Sequence, residues 1–168
     1  LSQDDVKISF LLPPDALAAF TRGRIDVWSV WEPFASQGRQ AGGREIAGGP
    51  PDEHGTNFTI ASTKAVEDPK RAAALKDYLD RLRQGYEWAR ANPDEFAAAW
   101  SGETGLPEKV TRAAVPGKVV QIRAVTDADV KNQQDLADLL ADEKVIPQKV
   151  DFGDIVTRGL ITEKEARR

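Results

Sequence analysis

Cysteine is absent from the 168 residues, and histidine occurs once, at His54. The first absence removes disulfides, thiol nucleophiles and thiolate-bound metals together. The second removes any centre built on two histidines. No motif for another metal site or for a cofactor is read in the chain, and none is expected. A cysteine-free chain suits the cytoplasm and the periplasm equally. There is no basic excess: 23 Lys and Arg stand against 27 Asp and Glu, a net charge of −4, with the two signs interspersed. Neither nucleic acid nor an anionic membrane surface is therefore an expected partner. No apolar run approaches the roughly 20 residues needed to span a bilayer, so membrane insertion is not expected. The opening LSQDDVKISF lacks a charged segment followed by an apolar one, and no signal peptide is expected within it. Repeats and low-complexity tracts are missing too.

What is present fits a soluble globular chain, with 40% apolar and 30% charged residues. Its length admits one medium domain or two small lobes. The most informative stretch is Ile25 to Phe34, IDVWSVWEPF. Ile25, Val27, Ser29 and Trp31 would lie on one face of a strand, and Asp26, Trp28 and Val30 on the other. Neither face is cleanly polar, which suits an interior strand of a covered, largely parallel sheet. Pro33 has its φ preset and no amide hydrogen, as the first turn of a helix tolerates. A bulky aromatic at the carboxyl end of such a strand sits where open α/β sheets place ligands. Trp31 and Glu32 are accordingly the leading site candidates.

Taken in order, Val6–Leu12 reads as a strand, and Pro13-Pro14-Asp15 opens a short helix whose apolar stripe holds Ala16, Leu17, Ala19 and Phe20. Gly23 is placed to end that helix. After Ile25–Trp31, a second short helix is expected over Glu32–Ala41, then an edge strand over Arg44–Ala47. The run from Gly48 to Gly55, GGPPDEHG, has the composition of a hinge. Asn57–Ala61 reads as a further strand, with Ser62 or Thr63 capping the next turn. From Asp68 the chain turns helical. Asp68-Pro69, Asn92-Pro93 and Pro107-Glu108 each start a helix, and Thr126-Asp127-Ala128-Asp129 forms a capping box with Asp at its fourth place. Val119–Ile122 is short and extended. Val130, Leu136, Leu139 and Leu140 are the expected core positions of the last helix, and Tyr86, Trp88 and Trp100 belong to packing on helical stripes.

Three stretches in this order, LLPPDALAAFTRGRIDVWSVWEPF, NFTIAST and EWARANPDEFAAAWSGETGLP, resemble the carboxyl-terminal half of periplasmic substrate-binding proteins of ABC importers, in the aliphatic sulfonate, taurine and nitrate group. The ending DLADLLADEKVIPQKVDFGDIV is similar to that family's final helix and exit. The resemblance implies an α/β architecture, namely half of a two-lobed periplasmic-binding-protein-like (type II) fold that is helix-rich after residue 68. Residues 1–49 would belong to the inner lobe, 50–56 to the hinge, and 57–168 to the outer lobe. It implies a solute-binding role without catalysis: a small organic anion (sulfonate, taurine or nitrate-like) held in an interlobe cleft and delivered to a membrane permease. The location would be periplasmic or extracytoplasmic, with lipoprotein anchoring compatible. The alternative is an enzyme on the same fold, desulfinase-like or related to pyrimidine-precursor formation, although this stretch offers only carboxylates and hydroxyls for catalysis.

Each candidate has a plain counterpart. Trp31 could line the cleft or pack on the sheet, whereas mid-strand Trp28 is expected in the core. Glu32 could face the cleft, where it would repel a sulfonate but hold an amine, or it could simply favour a helix amino end. Pro14 and Asp15 open toward the side of Trp31 if both strands are parallel, and helix amides there could take an anion; Asp15 is more simply a cap. Thr56 and Asn57 come after the hinge and could reach a ligand from the outer lobe or serve a turn. His54 is expected in solvent.

Overall fold

A computed structural model describes residues 5–48 and 57–161. In chain order the described helices are α1 (Pro13–Thr21), α2 (Phe34–Gln40), α3 (Thr63–Glu67), α4 (Pro69–Ala91), α5 (Pro93–Thr104), α6 (Glu108–Lys118) and α7 (Asp127–Asp142), with a 3-10 turn after them at Gly153–Ile155. The expected helix starts are met except at the second helix, expected from Glu32, which begins at Phe34 with Pro33 as its N-cap. Pro13, Pro69 and Pro93 each open a helix, and the Asp68 carboxylate accepts from the amides of Lys70 and Arg71 at 2.9 and 3.0 Å. The Ser62 hydroxyl caps α3 by accepting from the Ala65 amide. Gly23, at φ +65°, closes α1: its amide reaches Phe20 O, and that of Arg24 reaches Ala19 O. A side chain there would be strained in the left-handed region.

The strands are a different matter. None of the expected strand segments (6–12, 25–31, 44–47, 57–61 and 119–122) forms a ladder among the described residues. The helical part of the α/β expectation is therefore met, and the sheet is not. The first segment shows why alternation alone is insufficient: Val6, Ile8, Phe10 and Leu12 alternate as in a strand but are 50, 64, 95 and 72% exposed. Strand propensity is local, whereas a strand exists only against a neighbouring backbone.

The chain divides into two units, Leu1–Pro50 with Ala89–Val119, and Pro51–Trp88 with Val120–Arg168. Residues 89–119 fall in the first unit.

Within the first unit α5 packs on α6, α6 on α2, and α2 on α1. Its buried residues, among those described, are small: Ala16, Ser36, Gly38, Ala89, Ala97, Val110, Thr111, Ala114 and Val115. Small side chains let helix axes approach, and one polar contact ties two of them. Thr111 Oγ1, fully buried, lies 2.8 Å from Ala97 O on α5 and 3.0 Å from Glu108 O on its own helix. Thr111→Val, close in volume but without the hydroxyl, should lower stability by about 1 kcal/mol in urea unfolding. An unchanged midpoint would show that the bond contributes nothing.

Trp28 is half-buried, with its ring 6.2 Å from that of Phe20. Its six-membered edge lies over Gly38, where an added Cβ would meet it at an ordinary 3.5 Å. At Gly43 the space is gone: a Cβ would fall 2.8 Å from Gly38 O and 2.9 Å from the Phe20 ring. Gly43→Ala should therefore cost about 1–3 kcal/mol through overpacking. Gly38→Ala, inside α2, should be neutral or stabilising by about 0.5–1 kcal/mol. Thermal melts of the two variants side by side check the contrast.

In the second unit the capping box of α7 forms as expected, with Thr126 Oγ1 accepting from the Asp129 amide and Asp129 Oδ2 accepting from the Thr126 amide at 2.8 Å. Downstream, Gln134 straps the later chain to α7: it donates to Val150 O at 2.9 Å and accepts from the Phe152 amide at 2.7 Å. Phe152 in turn meets Phe58 at 5.6 Å. Gly153, next along the chain, lies near Val130, where an added Cβ would stand 3.9 Å from Val130 Cγ1; on the same helix Ala137 is buried, while Leu136 and Leu139 are exposed at 46 and 56%. The expected core positions Leu136 and Leu139 are thereby corrected. Trp88, also expected in packing, is 49% exposed.

Candidate functional site

Trp31 closes the segment that leads into α2. Its indole is 66% exposed and is steadied on one edge by Phe34, whose ring stands at 86° to it with centroids 6.0 Å apart. Perpendicular edge contacts of this kind suit aromatic pairs. An apolar plate this open, beside a polar network, can contact the hydrocarbon part of a small ligand.

Glu32 turns the other way, into its own helix. Pro33 is the N-cap residue of α2 and provides no side-chain bond to the helix. The Glu32 carboxylate fills that role from one position earlier: Oε2 accepts from the Ser36 amide at 3.0 Å. Oε1 accepts from Arg39 Nη2 at 2.5 Å. Arg39 also donates to Ser36 Oγ at 2.6 Å and to Glu45 Oε2 at 3.0 Å. The guanidinium is held above its ordinary pKa, chiefly by the hydrogen bond to Glu32, with the charges of Glu32 and Glu45 adding to it and burial opposing. Gly117 of α6 closes over this group, since an added Cβ there would stand 3.1 Å from Glu32 Cγ. Both carboxylate oxygens are thus taken within the chain. An amine-bearing ligand would have to displace Arg39 to reach Glu32, and a sulfonate would find Arg39 already paired.

Pro14 and Asp15 are exposed in the first turn of α1, whose N-cap is Leu12 and carries no side-chain bond. Asp15 is therefore the third helical residue rather than the cap, favourably placed for the helix dipole. Pro13 and Pro14 lack amide hydrogens, so this turn offers an anion little beyond the Asp15 amide, with a carboxylate beside it. Asn57 is exposed in the other unit, and Thr56 and His54 lie outside the described residues. Trp31 and Glu32 are thus joined with Ser36, Arg39, Glu45 and Gly117, four residues that sequence reasoning missed. Spacing did mark two of the four: Ser36 and Arg39 recur after Glu32 at intervals of four and three, the neighbours along one helical face.

The substrate-binding-protein resemblance has independent support. The chain is 31% identical over 159 residues to a protein of Bacillus subtilis (strain 168) that carries the provisional name of an aliphatic sulfonates-binding protein; the match covers 94% of this chain and 47% of that protein. An Escherichia coli (strain K12) protein with the same provisional name is 28% identical over 150 residues, 88% of this chain and 46% of its own length. Over most of its length the chain is thus homologous to two proteins named for binding aliphatic sulfonates. It spans about half the length of these curated relatives, as the expected carboxyl-terminal half would. No family model and no solved structure matches it.

Proposed function

We propose that the chain is part of a solute-binding protein that takes up a small organic anion of the alkanesulfonate type, outside the cytoplasmic membrane, and delivers it to the permease of an ABC importer. The observation that carries this is the homology, along 94% of the chain, to a protein named for binding aliphatic sulfonates. The exposed Trp31 indole supplies the matching chemistry. An alkanesulfonate joins a fixed negative charge to an apolar tail, and the indole suits the tail. With Arg39 committed to Glu32 and Glu45, the sulfonate group is assigned to donors other than Arg39. Asn57, Thr56, Asp15 and Pro14 are assigned to the ligand on the resemblance alone. No described helix is long and apolar enough to cross a membrane.

A thermal-shift screen of the full-length protein against alkanesulfonates, taurine and nitrate tests the proposal. A ligand at a hundred times its Kd adds about 2.7 kcal/mol to folded-state stability, enough to move the melting temperature by several degrees. Stabilisation by an alkanesulfonate is the expected result. A flat response to the whole set would refute the assignment.

A further inference from the structure

We infer that Arg39, Ser36 and Gly117, acting on Glu32, form a positioning device for the Trp31 indole, so that residues acting through Trp31 rather than on the ligand set the affinity of the site; this rests on the function proposed above. Trp31 is joined directly to Glu32, and Glu32 is fixed from two elements. On α2 its carboxylate is bound at both oxygens, at 2.5 Å by Arg39 and at 3.0 Å by the Ser36 amide. From α6, Gly117 leaves only enough room for the Glu32 methylene beside it. Arg39 is itself tied to the Ser36 hydroxyl and to Glu45, so the guanidinium is not free to swing away. Ser36 is 1% exposed, which puts the inner end of the network out of competition with water. An indole as open as Trp31 has little packing of its own to hold it. With its neighbour anchored and Phe34 at its edge, it meets the ligand already oriented, and preorganisation of this kind raises affinity by lowering the ordering cost of binding.

A network that served stability alone would leave ligand affinity and the indole environment untouched, which separates the two roles. The test is a double-mutant cycle in the full-length protein, titrated calorimetrically with ethanesulfonate, with 5-fluorotryptophan labelling to follow the Trp31 resonance by 19F NMR. Arg39→Met should weaken ethanesulfonate binding about tenfold when Trp31 is present, and by less than about twofold in the Trp31→Ala background, the non-additivity of groups acting in series. It should also shift or broaden the Trp31 resonance in the ligand-free protein. Gly117→Ala, which leaves every charge in place and pushes on Glu32, should reproduce both effects and decides the matter if Arg39→Met does not fold. Equal losses in the two backgrounds, or a Trp31 resonance unmoved by both substitutions, would overturn the inference. If Trp31→Ala itself leaves ethanesulfonate binding unchanged, the binding assignment of Trp31 fails instead, and the resonance still decides whether the network positions the indole.

Discussion

Trp31→Ala is expected to weaken binding of an alkanesulfonate to the full-length protein by roughly thirtyfold, about 2 kcal/mol, the scale on which aromatic anchors contribute to binding. Its effect on folding should be small. The indole is 66% exposed and, among the described residues, meets the ring of Phe34, so the melting temperature should move by no more than the loss of a surface aromatic pair, about 0.5–1.5 kcal/mol. A large loss of binding with a small loss of stability is the signature of a ligand-contacting side chain. The reverse pattern would assign Trp31 to packing. Isothermal titration and a thermal melt on the same preparation give both numbers. Trp31→Phe should recover part of the affinity, because a flat apolar ring remains.

Asp129→Asn should be the most damaging single substitution in the second unit, costing about 2–3 kcal/mol at neutral pH. Asp129 is 7% exposed and serves two purposes at once. Its carboxylate completes the capping box of α7, and it accepts from Arg123 Nη1 and Nη2, at 2.5 and 2.7 Å. The Thr126 hydroxyl lies 2.6 Å from Oδ2 as well. These bonds, Arg123 first and Thr126 after it, hold the Asp129 carboxyl well below the usual carboxylate range against the opposing effect of burial. A folded-state pKa below the unfolded one, about 3.9, gives a contribution that is fully present above pH 4. It falls away as the pH drops below that value and through the folded pKa. The stability gap between wild type and Asp129→Asn should thus be constant from pH 7 to about pH 5 and narrow steadily toward pH 2. Urea unfolding across that range checks it; a gap that widened in acid would contradict the assignment. Arg123→Met should show the same acid-sensitive gap, because it removes the main cause of the lowered pKa.

These two predictions draw on different kinds of information. The Asp129 box could be read from four consecutive residues, since a capping box uses only bonds spanning three positions. The same holds for Gly23, for Pro13, Pro69 and Pro93, and for the Asp68 cap: each depends on the geometry of a single turn. The aromatic at residue 31 was legible as well, because a bulky residue ahead of Glu-Pro marks where an extended run meets a helix. Homology agrees with the family resemblance that the order of the motifs suggested.

The direction in which Glu32 points was not legible. Two outcomes were open at the sequence level, a carboxylate facing a ligand or one serving the helix, and local chemistry does not separate them. The choice depends on Arg39 arriving one helical face along and on Gly117 arriving from α6. Ladder formation was equally hidden. Val6, Ile8, Phe10 and Leu12 hold the right alternation, but alternation describes one chain, and a ladder needs two. The buried face of α7 was misjudged for a related reason, since periodicity marks an apolar stripe but not which side of a helix the rest of the chain meets: Leu136 and Leu139 are exposed, and Ala137 is buried.

By itself, then, the sequence determined where most of the helices begin, the caps at Ser62, Asp68 and Thr126, and to which proteins the chain is related, because those features are written in contacts a few residues apart or in similarity along the chain. Tertiary structure alone decided that Glu32 is committed to Arg39, that Thr111 ties α6 to Ala97 fourteen residues away, and that residues 89–119 pack with the first unit. Each of those outcomes is a choice of partner among distant groups, and the physical reason is the same throughout: a side chain's propensity is local, whereas the free energy of burying or pairing it depends on what the fold brings against it.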